Sequence, residues 1–177
     1  MINKFGKALI TMFGIGYFKY APGTLASFVT CIIYYILLIN GLIGSIFYYL
    51  ILFLFLITIY SIISIDNLTS HFKKKDAKEI VIDEFIGQSI TLLSLKFLLY
   101  ESNLFAYPFG LIFYFDPYVS EITIFLCFLF FRFFDILKPF PINLVDKKMK
   151  NGLGVILDDI IAGIYATISL IIIIQLL

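Results

Sequence analysis

Apolar residues fall along this chain in long runs, not in the alternation of a strand or the one-sided stripe of a soluble helix. The first run, residues 24–39, is near the lower length limit for a spanning helix. The second, residues 45–65, is long enough to cross, since about 20 residues span a bilayer. A third begins at Phe85 and runs through SITLLSLKFLLY, interrupted by Lys96. After a proline-containing stretch come residues 121–137 and then 153–177. The pattern predicts an all-α helical bundle, integral to a membrane, with about five apolar segments. Residues 1–177 read as one domain, without internal repeat or linker.

Composition points the same way. The chain is 62% hydrophobic and 14% charged, with a mean hydropathy of +1.04. Soluble domains are about 45–50% apolar and about 25% charged. A net charge of +1 gives no bulk attraction to nucleic acid. The single histidine, His71, lies beside a run of lysines, which excludes a multi-histidine metal site. Cys31 and Cys127 sit inside apolar runs without ligand spacing and read as small buried hydrophobes.

Lysines set the expected topology. Lys4, Lys7 and Lys19 precede the first run, Lys73, Lys74, Lys75 and Lys78 follow the second, and Lys138, Lys147, Lys148 and Lys150 follow the fourth. The other two connections carry no Lys or Arg. The positive-inside rule places the three basic connections in the cytoplasm.

On that topology the acids gather on one side. Asp83 and Glu84 open the third segment, Asp135 lies near the cytoplasmic end of the fourth, and Asp158 and Asp159 lie roughly 8–9 Å into the fifth. A charge in hydrocarbon costs at least ~2.5 kcal/mol, so an adjacent pair there needs a partner or a task. Carboxylates from three helices at one shallow depth suit Mg²⁺, an oxygen-seeking ion commonly shared with substrate phosphate. Arg132, three residues before Asp135, suits a phosphate oxygen.

Plainer readings accompany each feature. Arg132 and Asp135 also fit an intrahelical ion pair, and Asp83 with Glu84 also fit favourable charge at a helix N-terminus. Asp158 and Asp159 point about 100° apart on a helix, so one of them faces away from the other's target. In APGTLAS, Thr24 reads as a helix cap, with a phosphate contact from Thr24 or Lys19 as the alternative. Lys138, in KPFPI, fits either lipid headgroups or substrate. NGLG reads as a flexible lead into the last helix. Convergence of the acids from three segments is what favours a site.

The stretches APGTLAS, IVIDEFIG, FRFFDILKPFPI with Asp146 after it, and NGLGVILDDIIAG resemble, in content and order, the phosphatidylglycerophosphatase A family of bacterial lipid phosphatases. Asn151 and Ile82 depart from the family pattern, and neither change removes a charged group. The resemblance implies an all-helical, Mg²⁺-dependent enzyme of the bacterial inner membrane with its site facing the cytoplasm. It would hydrolyse phosphatidylglycerol phosphate to phosphatidylglycerol and inorganic phosphate. Asp83, Glu84, Arg132, Asp135, Asp158 and Asp159 then occupy the family's charged positions. The expected catalytic set is Asp83, Asp158, Asp159 and Arg132, with metal on Asp83, Glu84, Asp135 and Asp159. Substrate contacts are expected from Arg132, Lys138, Thr24 and Lys19. The competing reading is a cation or proton carrier, which would spread its polar groups through the full membrane depth.

Overall fold

The computed structural model describes residues 4–69, 78–96 and 117–176. Regular structure among them is helical: α1 (Lys4–Ile10), a 3-10 turn (Met12–Tyr17), α2 (Pro22–Ile39), α3 (Leu42–Thr69), α4 (Ile82–Lys96), α5 (Pro117–Leu137), α6 (Ile142–Lys148) and α7 (Gly152–Leu176). His71 and Lys73 to Lys75 lie outside the described residues, as does the proline-containing stretch before α5.

Among the described residues, three helices are long and apolar enough to cross a membrane: α2, α3 and α7. That is fewer than the about five apolar segments expected. The described part of the third segment, α4, has 15 residues, a length of about 22 Å against a hydrocarbon core of about 30 Å. The fourth, α5, carries Glu121, Arg132 and Asp135 along its length.

Helix α7 forms the centre, with α3, α4, α5 and α6 packed around it. Its crossing with α4 is set by two glycines. A Cβ on Gly87 would stand 2.6 Å from the Asp159 carbonyl oxygen and 2.5 Å from the Phe131 ring; one on Gly163 would stand 2.6 Å from the Gly87 carbonyl oxygen. Small residues let the two backbones touch, the usual device where lipid gives helices no hydrophobic reason to associate. Thr91 extends the contact by donating to the Gly87 and Gly163 carbonyls at 3.1 and 3.3 Å. Farther along, Leu95 meets Leu170 and Cys127. Thus α4 and α7 run in the same sense and α5 runs against them.

The remaining ends follow. Gly23 of α2 lies against Glu84, and Asp66 near the end of α3 accepts a hydrogen bond from the Gly152 amide at 2.6 Å. One end of the bundle therefore holds the starts of α2, α4 and α7 and the finishes of α3 and α5. Burial falls outward: 44% of the α7 span is buried, against 11% of the α3 span, which leaves α3 facing lipid.

Two local expectations are corrected. NGLG is not a flexible lead. Asn151 Oδ1 accepts from the Gly154 amide at 3.0 Å, an N-cap on α7, while the Asp66 carboxylate satisfies Gly152. Thr24 is not a cap. Helix α2 begins at Pro22 after Ala21, whose backbone is left-handed (φ 45, ψ 58), and no side-chain cap bond is made there. Asn151→Ala is expected to cost about 1 kcal/mol and Asn151→Gly a few tenths, measured by denaturation in detergent micelles.

Candidate active site

Asp83 and Glu84 occupy the first turn of α4, one turn before the glycine that meets α7. Asp159 precedes Gly163 by one turn on α7. The glycine crossing therefore brings the three carboxylates together. One oxygen from each lies within 4.8 Å of the others, and Asp159 is only 3% exposed. Carboxylates this close and this buried repel one another, and they persist where a cation is to be shared.

Arg132 comes from α5, which runs in from the opposite direction. Its guanidinium pairs with Asp135 one turn on and stands 3.9 Å from Glu84 Oε1. Asp135 is thus engaged with Arg132 and lies outside the group of three. The Glu84 carboxylate rests in the space that a side chain at position 23 would take: a Cβ on Gly23 would overlap its Oε1.

The two adjacent aspartates separate as their 100° offset requires. Asp158 Oδ2 accepts from Lys138 Nζ at 2.6 Å, and Asp158 Oδ1 from the Asp159 amide at 3.2 Å. Lys138 follows the last turn of α5 in a left-handed conformation (φ 45), and its ammonium also pairs with Asp146 of α6 at 3.0 Å. Tyr165 donates to the Phe140 carbonyl at 3.1 Å and holds the same turn onto α7. Burial works against the Lys138 ammonium, but hydrogen bonds and charge from Asp158 and then Asp146 outweigh it, so its pKa is raised. A raised lysine pKa contributes stability that is fully present below the ordinary value of about 10.4 and lost only at higher pH. Lys138 therefore stays charged across the neutral range. Lys19 lies apart on the exposed lead into α2, its ammonium 5.3 Å from the Tyr20 ring centroid, and Thr24 sits in the first turn of α2.

Glycines 23, 87 and 163 were not singled out from the sequence, although each belongs to a quoted motif. Their signal is position: Gly87 and Gly163 fall three or four residues after an acid. Asp66 carried no signal. Gln88, also missed, is fully buried one turn after Glu84, and its amide has no hydrogen-bond partner among the described residues.

The donor set fits Mg²⁺. It is all oxygen, and Asp83 Oδ1 and Glu84 Oε2 are buried without a hydrogen-bond partner among the described residues. The model of the family Phosphatidylglycerophosphatase A matches residues 8–174, nearly the whole chain. The chain belongs to the phosphatidylglycerophosphatase A family.

A phosphatidylglycerophosphatase A of Haemophilus influenzae is 36% identical over 157 residues, covering 88% of this chain and 80% of that protein. A Bacteroides thetaiotaomicron protein provisionally named phosphatidylinositol-3-phosphatase is 30% identical over 162 residues, 89% of this chain and 86% of its own. A phosphatidylglycerophosphatase A of Escherichia coli is 33% identical over 89 residues, 50% of this chain and 40% of its own. No solved structure gives a significant match. Membership of the phosphatidylglycerophosphatase A family and three helices fit to span agree on a membrane protein of lipid chemistry.

Proposed function

We propose that this chain is a membrane-embedded lipid phosphatase that hydrolyses phosphatidylglycerol phosphate to phosphatidylglycerol and inorganic phosphate. The observation that carries the reading is the convergence of Asp83, Glu84 and Asp159 beside Arg132 at one end of an apolar bundle. The names of two relatives share a phosphomonoester on a lipid headgroup, and that is the feature this site is built to address.

Asp83, Glu84 and Asp159 are the residues that would hold Mg²⁺. Bound there, the ion would supply charge neutralisation for phosphoryl oxygens. Asp135 orients the Arg132 guanidinium, which stabilises the charge that develops on the transferring phosphoryl group. Water attacks phosphorus in line with the glycerol oxygen while a carboxylate of the cluster takes the water's proton; the P–O bond to the glycerol oxygen breaks, and that oxygen keeps the electron pair and is protonated from bulk water. Asp158 is placed by Lys138 as a support for Asp159, not as part of the cluster.

Lys7, Lys19, Lys78, Lys138, Lys147, Lys148 and Lys150 all belong to segments at the site end of the bundle. This supports a site on the cytoplasmic face of the bacterial inner membrane. Five crossings would need α4 and α5 to traverse along with the three longer helices. A carrier is less well supported, because the one carboxylate cluster among the described residues lies at one end of the bundle.

The test is phosphate release from phosphatidylglycerol phosphate by purified protein in detergent. Release is expected with Mg²⁺ and is expected to stop with chelator and return when Mg²⁺ is restored. Undiminished release in chelator would remove the metal from the reading. No release under any condition by folded protein would remove the phosphatase.

A further inference from the structure

A groove of about 250 Å³ runs between α2 and α5 on the flank of the bundle. Phe28 and Ile32 of α2 line one wall, and Ile124, Phe125 and Phe128 of α5 line the other. At its site end, the Phe28 and Phe128 rings meet edge to face, centroids 6.2 Å apart. Its far end is closed by Tyr35, which donates to Glu121 Oε1 at 2.6 Å. Nothing in the chemistry assigned so far uses this surface.

We propose that the groove holds an acyl chain of the same lipid molecule whose phosphate is bound beside Arg132. The proposal rests on the lipid-phosphatase reading and adds to it a site for the tail. Continuity is the first argument. The two helices that wall the groove are those that carry Gly23, against Glu84, and Arg132 into the site. Phe28 follows Gly23 by five residues and Phe128 precedes Arg132 by four, so the groove begins about 6–8 Å below the polar cluster. A glycerol-linked headgroup covers that distance.

Chemistry is the second argument. The walls are aliphatic and aromatic, and the one charged residue, Glu121, is held at the far end by Tyr35. Such a groove suits hydrocarbon and offers nothing to a polar headgroup. From Phe28 to Tyr35 the groove is about 10 Å long, so it takes the upper part of a chain, and the rest turns out through the open flank into the bilayer short of Tyr35.

Moving a chain from bilayer to groove releases no hydrophobic free energy, because lipid is as apolar as the walls. The gain is alignment. A tail seated between α2 and α5 fixes the depth and direction from which the phosphate meets Arg132. Misplacement of a substrate by about 1 Å can cost about a hundredfold.

Ile32→Trp fills the groove, and Ile33→Trp, on the next position of α2 and also exposed, adds the same bulk outside it. Hydrolysis would be compared on dipalmitoyl and dihexanoyl phosphatidylglycerol phosphate. Ile32→Trp is expected to lower kcat/KM for the dipalmitoyl lipid roughly tenfold, a partial misplacement. The dihexanoyl lipid and the Ile33→Trp variant are expected to change little. As a second probe, Tyr35→Ala opens the far end and is expected to shift preference toward longer chains. Equal behaviour of Ile32→Trp and Ile33→Trp, with no shift in Tyr35→Ala, would overturn the proposal and leave the groove to bulk lipid or another part of the chain. Loss of hydrolysis of every substrate by the unaltered protein would instead overturn the phosphatase reading.

Discussion

Asp159→Asn is expected to abolish phosphate release while making the metal-free protein more stable. The loss should be roughly a thousandfold or more, because charge stabilisation by a bound ion is worth several kcal/mol and each 1.36 kcal/mol is a factor of ten. The gain in stability has a separate cause. Asp159 is 3% exposed and shares a space 4.8 Å across with oxygens of Asp83 and Glu84. Neutralising one of three crowded carboxylates relieves repulsion in the folded state only. Thermal unfolding in detergent should therefore show the variant melting above the unaltered protein in chelator. Added Mg²⁺ should raise the melting temperature of the unaltered protein more than that of the variant, since binding to the folded state alone stabilises it. A variant that melts lower in chelator would mark Asp159 as a structural anchor instead.

Gly87→Val is expected to damage both fold and activity, because the obstacle is backbone. The new side chain would meet the Asp159 carbonyl oxygen and the Phe131 ring, and a carbonyl within a helix cannot swing aside as a side-chain tip can. Helices α4 and α7 would have to separate. Overpacking of this kind costs about 1–3 kcal/mol, and the separation would pull Asp83 and Glu84 away from Asp159, lowering activity about a hundredfold or more. Gly44 of α3 supplies the comparison. A Cβ there meets nothing within 4 Å, so Gly44→Ala should leave activity intact and stability unchanged or slightly improved. Similar losses at both positions, read from melting curves and phosphate release, would refute the close-crossing account.

Much of this was legible in the sequence, because apolar runs, lysine placement and acid spacing are properties of the chain itself. The all-helical class and the gathering of acids at one end follow from those patterns. What was not legible depends on partners. Sequence spacing showed that Asp158 and Asp159 point different ways, but not that Lys138 and Asp146 would claim Asp158. The Arg132–Asp135 spacing fitted both an ion pair and a phosphate site, and the structure shows the pair set beside Glu84. Gly23 carried no signal, since nothing local shows that a carboxylate from a helix some sixty residues later in the chain will rest on it. Thr24 misled for the opposite reason: a good capping residue stood nearby while the chain began its helix at Pro22. Of the about five apolar segments, three stand out among the described residues as long and apolar enough to cross, because an apolar run does not report the charges that a helix such as α5 also carries.

The tie between Asp66 and Gly152 has a consequence for the bilayer itself. Helix α3 has 28 residues, and its apolar run over residues 45–65 is about 31 Å long, matched to an average bilayer of about 30 Å of hydrocarbon. Such a helix relieves hydrophobic mismatch by tilting, more in a thin bilayer and less in a thick one. Since its last turns grip the start of α7, a change of tilt reaches the helix that carries Asp159. The thickness and composition of the surrounding membrane thereby become a setting on the geometry of the carboxylate cluster.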